Sequence, residues 1–146
     1  MPVNLGRSQS LCCHADPFVA IVQVELNSDS PDVLIDFLTT AISNCVARQS
    51  TEYFLLLSSH GGGPFGFGGD DHTVRRRLIE NNQDVAYAIR TALSQTPGAP
   101  SMLDVLAFDA CLMQSDGALD DYSSITKYYL ASEDVIPAHG KWQLRS

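Results

Sequence analysis

A histidine and a cysteine each follow an apolar segment of this sequence, and together their side chains can perform nucleophilic catalysis. His60 comes directly after residues 53–59, and Cys111 comes shortly after residues 103–108. A cysteine attacks as its thiolate, which forms near neutral pH only beside a base or a cation. A neighbouring imidazole can fill that role and can also protonate a leaving amine. His60 and Cys111 are therefore a candidate catalytic dyad.

The elements around these residues have to bring them together across 51 positions of sequence. Apolar, β-branched runs predict strands, and apolar residues at three-to-four spacing predict helices between them. The predicted strands are residues 18–26, 53–59, 103–108 and 128–131, and the predicted helices are residues 31–48, 83–95 and 112–122. This alternation predicts an α/β fold with a mostly parallel sheet covered by helices.

The carboxyl ends of parallel strands lie at one edge of a sheet, where open α/β folds bind their ligands. If residues 53–59 and 103–108 are parallel neighbours joined by a right-handed crossover, His60 and Cys111 meet at that edge. The glycines at 61–63 strengthen this hypothesis, because a flexible backbone can aim an N–H at a developing oxyanion.

Simpler interpretations exist for each of these residues. A cysteine after an apolar strand is most often a small buried hydrophobe, and a histidine before glycines can be an ordinary loop residue. The glycines themselves can form a flexible loop. A phosphate cradle is the weakest alternative, because no Gly-Lys-Ser/Thr sequence follows them.

Length and charge narrow the class of protein. The 146 residues are 45% hydrophobic and carry a formal charge of −8, enough sequence for one domain with its own core. The acidic balance, with a pI of 4.7, argues against nucleic acid and anionic membrane surfaces as partners. No apolar run approaches the roughly 20 residues that cross a bilayer.

The N-terminal region shows neither helical nor strand periodicity. We expect residues 1–15 to be a flexible arm without a signal peptide, and residues 16–146 to form the domain. The compartment stays unknown. The four cysteines have no disulfide-framework spacing, so we expect them to be thiols.

Four motifs resemble, in the same order, those of the clostripain family of cysteine peptidases. They are SHGGG at 59–63, LAFDACLM at 106–113, ASE at 131–133 and P-x-x-G-x-W at 137–142. The family is grouped with caspases, legumains and gingipains. The resemblance implies a three-layer α/β/α caspase-like sandwich and the same His-then-Cys dyad. It also implies a polypeptide substrate and no required cofactor.

The resemblance carries roles onto individual positions. Cys111 matches the nucleophile and His60 the histidine that assists the leaving group, with the backbone N–H groups of Gly61 and Cys111 as oxyanion donors. Asp109 matches the S1 aspartate that selects Arg or Lys at P1, and a carboxylate beside the nucleophile would indeed pair with a guanidinium or ammonium group. The alternative for Asp109 is a cap on the helix predicted from Leu112.

The resemblance also predicts self-cleavage in the linker between the two strands. Arg75, Arg76 and Arg77 are the basic run in that linker, so we expect the processing site there. A solvated turn before a helix explains the same run equally well.

The chain departs from the family in several respects. His139 stands where some relatives have a second acidic residue, for which Glu133 or Asp134 could compensate. We expect edge strands to be lacking, which would leave strand edges open to dimerisation. Calcium is unsupported by a motif, because Asp70, Asp71, Asp120 and Asp121 lack EF-hand spacing.

Two further classes of function stay open. An inactive caspase-like scaffold could bind basic peptides through Asp109 without cleaving them. A metal site from His60, His72, Cys111 and nearby aspartates ranks last, because no ligand pair has the usual two-to-four spacing.

Overall fold

The computed structural model describes the backbone of residues 9–13 and 18–19 and the whole of residues 30–68 and 81–136. The helices are α1 (Pro31–Ala47), α2 (Asn82–Gln95) and α3 (Asp116–Tyr122), and a short 3-10 turn covers Gly63–Phe65. The strands are β1 (Gln9–Cys13), β2 (Phe18–Val19), β3 (Tyr53–Ser58), β4 (Leu103–Asp109) and β5 (Thr126–Leu130).

The strands form one sheet in the order β2-β1-β3-β4-β5. β3, β4 and β5 run parallel, and the predicted α/β fold with a mostly parallel core is confirmed. β1 pairs antiparallel with both β2 and β3. For residues 9–13 the structure therefore differs from the flexible arm that the sequence predicts, because pairing with β3 organises this backbone without any apolar alternation.

The core lies between the sheet and the helices. α1 buries residues at three-to-four spacing, as predicted, and packs against α2, which in turn packs against α3. On the sheet, Leu55, Leu57 and Leu106 are fully buried. Burial of one such side chain contributes about 1.5–3 kcal/mol, so these alternating positions fix the register of the parallel strands.

Cys45 and Cys111 differ in whether their sulfur atom is free or bonded. Cys45 is buried on α1 and is disulfide-bonded, so the prediction of a thiol is wrong at this position. Cys111 is a free thiol, as predicted. The sequence could not distinguish the two cases, because a disulfide depends on which side chains the fold brings into contact.

Three aromatic rings pack around Phe108 near the carboxyl end of β4. The ring centroids of Phe67 and Tyr122 each lie 5.0 Å from that of Phe108, and the centroid of Tyr129 lies at 5.7 Å. Tyr122 and Tyr129 stack at 5.8 Å. The cluster packs three elements against β4 near the predicted dyad. These are the loop that follows β3, which carries Phe67, the helix α3 and the strand β5.

β5 is the outermost described strand on its side of the sheet. Its Tyr128 and Leu130 side chains are 71% and 50% exposed. Within the described residues, no helix is long and apolar enough to span a membrane.

Asp104 links the beginning of β3 to β5 through its carboxylate. It accepts hydrogen bonds from Nζ of Lys127 at 2.7 Å and from the backbone N–H of Tyr53 at 2.8 Å. The Lys127 hydrogen bond, followed by that of Tyr53, holds the pKa of Asp104 below its usual value of 3.8.

Replacing this carboxylate by its neutral isostere tests the link. We expect Asp104→Asn to lower the free energy of unfolding by about 1 kcal/mol at pH 7, because a neutral acceptor makes weaker hydrogen bonds than a carboxylate. Since the pKa is lowered by folding, this stabilisation is complete above the unfolded-state pKa and is lost as the pH falls through the folded-state pKa. Denaturant unfolding curves of the two proteins should therefore converge in acid, and a constant difference would contradict the assignment.

Candidate active site

The carboxyl ends of β3 and β4 lie side by side and carry the two predicted catalytic residues. Ser58 pairs with Asp109, and the backbone N–H of Ser59 donates to the carbonyl oxygen of Asp109 at 3.4 Å. His60 follows Ser59 directly after the end of β3, and Cys111 lies two positions after Asp109, the last residue of β4. The structure thus brings both residues to the same edge of the sheet.

Gly61 packs directly on the backbone of Cys111. A Cβ atom at this position would overlap the carbonyl oxygen of Cys111 and lie 2.9 Å from its nitrogen. Only glycine permits this approach of the two loops. The backbone N–H groups of Gly61 and Cys111 donate to no acceptor among the described residues, so both remain available to a ligand.

The loop after His60 is hydrogen-bonded, in contrast to the flexible loop that was the alternative for these glycines. Gly68 N–H donates to the carbonyl oxygen of His60, and Gly62 N–H donates to that of Gly66, both at 2.9 Å. Gly63 adopts a left-handed φ of 61° and lies against Leu112. These contacts give the loop one defined path beside the cysteine.

Cys111 lies in a turn, where the sequence predicts the approach to a helix at Leu112. Leu112 has a left-handed φ of 60°, a conformation that costs a branched side chain about 1–3 kcal/mol. α3 begins only at Asp116, with the side chain of Ser115 accepting from the N–H of Ala118 at 3.4 Å. The predicted helix over 112–122 is therefore too long, and the alternative of Asp109 as its cap is wrong.

The segment after β5 crosses this turn. The N–H of Leu112 donates to the carbonyl oxygen of Asp134 at 3.2 Å, and that of Gln114 donates to Ser132 at 2.9 Å. The N–H of Ile136 donates to Sγ of Cys111 at 3.2 Å. The half-buried thiol in turn donates to the carbonyl oxygen of Ile136 at 3.5 Å, so both backbone groups of Ile136 contact it.

Tyr129 holds the same turn from β5. Its hydroxyl donates to the carbonyl oxygen of Met113 at 2.8 Å, and burial raises the pKa of Tyr129 well above its usual value. The hydroxyl therefore keeps its proton over the whole physiological range and remains a donor.

Asp109 is half-buried at the end of β4. Its Oδ2 accepts from the hydroxyl of Ser58 at 3.3 Å. Among the described residues no cation pairs with it, since their one ion pair joins Lys127 and Asp104. The carboxylate can therefore accept a positive group from outside.

His60 is exposed at the edge of the sheet, and no hydrogen bond joins its imidazole to Cys111 in the described part of the chain. Catalytic hydrogen bonds are often long in unliganded enzymes and shorten when substrate binds. Backbone contact between Gly61 and Cys111 keeps the two residues at one site.

Several predicted residues lie outside the described ranges. These are the processing candidates Arg75, Arg76 and Arg77, the acidic and histidine candidates Asp70, Asp71 and His72, and His139. Within the described ranges no group of three or more metal-binding side chains occurs. The metal and calcium hypotheses stay predictions.

Nothing in the sequence pattern singles out Asn82, which contacts the glycine loop from α2. Its side chain is fully buried, Nδ2 donates to the carbonyl oxygen of Gly63 at 2.9 Å, and Oδ1 accepts from the hydroxyl of Tyr122 at 3.1 Å. In the sequence it stands among polar residues at a predicted helix start, where an asparagine is common and exposed.

Comparisons with known proteins identify the family of this chain. The model of the clostripain family matches residues 15–143, whereas no curated protein matches the sequence. A solved structure of a secreted C11 cysteine protease from Bacteroides thetaiotaomicron, in complex with an irreversible peptide inhibitor, is 25% identical with a TM-score of 0.65. The match covers 88% of this chain and 35% of the other, so this chain spans about a third of that protein.

The family match extends over most of the chain and includes both strand ends that form the candidate site. The fold agrees with that of the solved C11 protease. The chain belongs to the clostripain family, whose members are cysteine peptidases.

Proposed function

We propose that this protein is a cysteine endopeptidase that cleaves polypeptides after Arg or Lys, with Cys111 as nucleophile and His60 as its partner. The observation that supports this most directly is the contact between Gly61 and the backbone of Cys111. It combines a free thiol with two available N–H groups at the edge of a parallel sheet, where α/β proteins bind ligands.

The proposed reaction proceeds through a thioester. The thiol proton of Cys111 passes to His60, Sγ attacks the carbonyl carbon of the scissile peptide, and the electron pair of the carbonyl moves to its oxygen. The N–H groups of Gly61 and Cys111 stabilise that oxyanion. When the intermediate collapses, the C–N bond breaks and His60 protonates the departing amine. Water then attacks the thioester while His60 accepts its proton, the C–S bond breaks to release the acid, and the proton returns from His60 to Cys111.

Asp109 would bind the basic side chain at P1. Its carboxylate has no cationic partner among the described residues and lies two positions before the nucleophile. Glu133 and Asp134 are exposed on the segment that crosses the Cys111 turn and add negative charge beside it. A guanidinium or ammonium group at P1 is therefore favoured over an acidic or apolar one.

The first test compares substrates that differ only at P1. We expect fluorogenic peptides with Arg or Lys at P1 to be hydrolysed, and those with Asp or Leu to be hydrolysed far more slowly. Cys111→Ala and His60→Ala should each lower kcat by on the order of 10³-fold or more, since a dyad acts as a unit. Thermal unfolding would verify that both variants fold.

A wild-type protein that is folded but does not hydrolyse any of these peptides would contradict the proposed peptidase activity. Binding of the Arg peptide in that case, lost in Asp109→Asn, would establish the alternative of an inactive scaffold for basic peptides. Alkylation of Cys111 provides an independent measure of its activation, because an activated thiol reacts faster than an ordinary one.

The second test concerns Asp109 alone. We expect Asp109→Asn to lower kcat/KM for the Arg peptide by about 10- to 100-fold, because a charge-assisted hydrogen bond is replaced by a neutral one. Turnover of the Leu peptide should change little. Asp36→Asn, an exposed position on α1 with the same change of charge, is the matched control and should retain the Arg preference. Equal losses for the Arg and Leu peptides in Asp109→Asn would argue against a role at S1.

The third test concerns self-processing, which we propose at Arg75, Arg76 or Arg77. Incubated wild-type protein should separate into two fragments by denaturing electrophoresis, with the new C-terminus at one of these arginines by mass spectrometry. The triple variant with glutamine at all three positions should stay intact while retaining the fold. Cys111→Ala should also stay intact, and its cleavage would indicate another protease in the preparation. A wild-type chain that remains whole while it hydrolyses the Arg peptide would exclude processing.

A further inference from the structure

We propose that Asn82 and Tyr122 form a buried polar bridge that positions the glycine loop at 61–63 for oxyanion binding. In this bridge Asn82 and Tyr122 are positioning residues, which act through the loop and do not touch the substrate. This inference rests on the proposed dyad and oxyanion donors, and it adds the interaction that holds one of those donors in place.

The bridge connects three elements that are distant in sequence. Asn82 is the first residue of α2 and Tyr122 is the last residue of α3, and both are 0% exposed. The hydroxyl of Tyr122 donates to Oδ1 of Asn82 at 3.1 Å, and Nδ2 of Asn82 donates to the carbonyl oxygen of Gly63 at 2.9 Å.

The chemistry of the amide gives the bridge a direction. A side-chain amide has one accepting and one donating end. The carbonyl oxygen of Gly63 can only accept, so the donating end of the amide has to face it, and the accepting end then faces the Tyr122 hydroxyl. A buried amide is costly unless it is hydrogen-bonded, and both ends of Asn82 are satisfied by this arrangement alone. The amide is therefore held in a single orientation.

The position of Gly63 determines the position of the oxyanion donor. Gly63 has a left-handed φ of 61°, and a Cβ atom there would lie 3.0 Å from the carbonyl oxygen of Leu112. Gly63 is thus enclosed between the turn at residues 111–113 on one side and Asn82 on the other. Only Gly62 separates it from Gly61, whose backbone contacts Cys111. If Asn82 releases Gly63, the N–H of Gly61 loses its fixed direction.

A purely structural role would also explain a buried hydrogen bond. Two reactions of Cys111 distinguish that role from positioning of the oxyanion donor. Attack of Cys111 on a peptide creates an oxyanion, whereas alkylation of Cys111 by iodoacetamide creates none. Loss of the bridge should therefore slow peptide hydrolysis much more than alkylation. A variant that only reduces the amount of folded protein would also show slower peptide hydrolysis. Measured per folded molecule, however, its hydrolysis would not be slowed more than its alkylation.

The experiment uses two variants and a matched control. Tyr122→Phe keeps the aromatic ring and removes only the hydroxyl, and Asn82→Leu removes the amide. Thr96→Val removes another buried hydroxyl, which donates to the carbonyl oxygen of Ala92 at 2.8 Å at the far end of α2. For each protein we would measure kcat and KM with the Arg peptide, the alkylation rate of Cys111, and amide hydrogen exchange.

We expect kcat to fall about tenfold in Tyr122→Phe and about 100-fold in Asn82→Leu, because a misplaced oxyanion donor costs that much. KM and the alkylation rate should change by less than about twofold, since neither depends on the oxyanion. Amides of residues 61–68 should exchange about tenfold faster in both variants, with α1 unaffected. Thr96→Val should match the wild type in each measurement.

Two results would overturn the bridge. Unchanged exchange at 61–68 in both variants would show that it does not hold the loop, and faster exchange with unchanged kcat would show that the loop position does not matter. If Asn82→Leu fails to fold, Tyr122→Phe decides alone. Absence of turnover in the wild type would contradict the proposed function and not the bridge, for which exchange at 61–68 is then the deciding measurement.

Discussion

The contact of Gly61 with the backbone of Cys111 is the constraint on which the candidate site depends. β3 and β4 are paired up to Ser58 and Asp109, and the hydrogen bond from Ser59 N–H to Asp109 is the last one described between these two segments. A residue without a side chain lets the two backbones converge further at Gly61 and Cys111. Every other feature of the site either permits this approach or holds it.

The turn at residues 111–113 is strained, and its neighbours hold it in that shape. Leu112 has a left-handed backbone, which an isolated peptide would rarely adopt. Tyr129 fixes Met113 from β5, and the segment over 132–136 donates and accepts along the same turn. Behind them, rings packed around Phe108 tie these elements to β4. A strained turn persists only when several rigid elements determine it together.

The sequence predicts the two strand ends well because local patterns encode them. The apolar runs before His60 and Cys111 end within one residue of the observed strands, and the parallel topology follows from the alternation of elements. The beginning of α3 is missed because the left-handed turn at Leu112 depends on tertiary contacts that periodicity does not contain. β1 and Asn82 are missed for the same reason. A strand without alternation and a buried asparagine in a polar stretch both acquire their roles only from partners far along the chain.

The pairing of Ser58 with Asp109 spans 51 residues of sequence, which has a kinetic consequence. Closing a loop of this length costs conformational entropy, which the strand contacts have to compensate. The thiol and the glycine N–H therefore stay apart during synthesis, until β4 and its following turn have left the ribosome and docked on β3. Activity of the kind proposed here can begin only once the sheet is formed, so the timing of folding itself would delay cleavage of unfolded neighbouring chains.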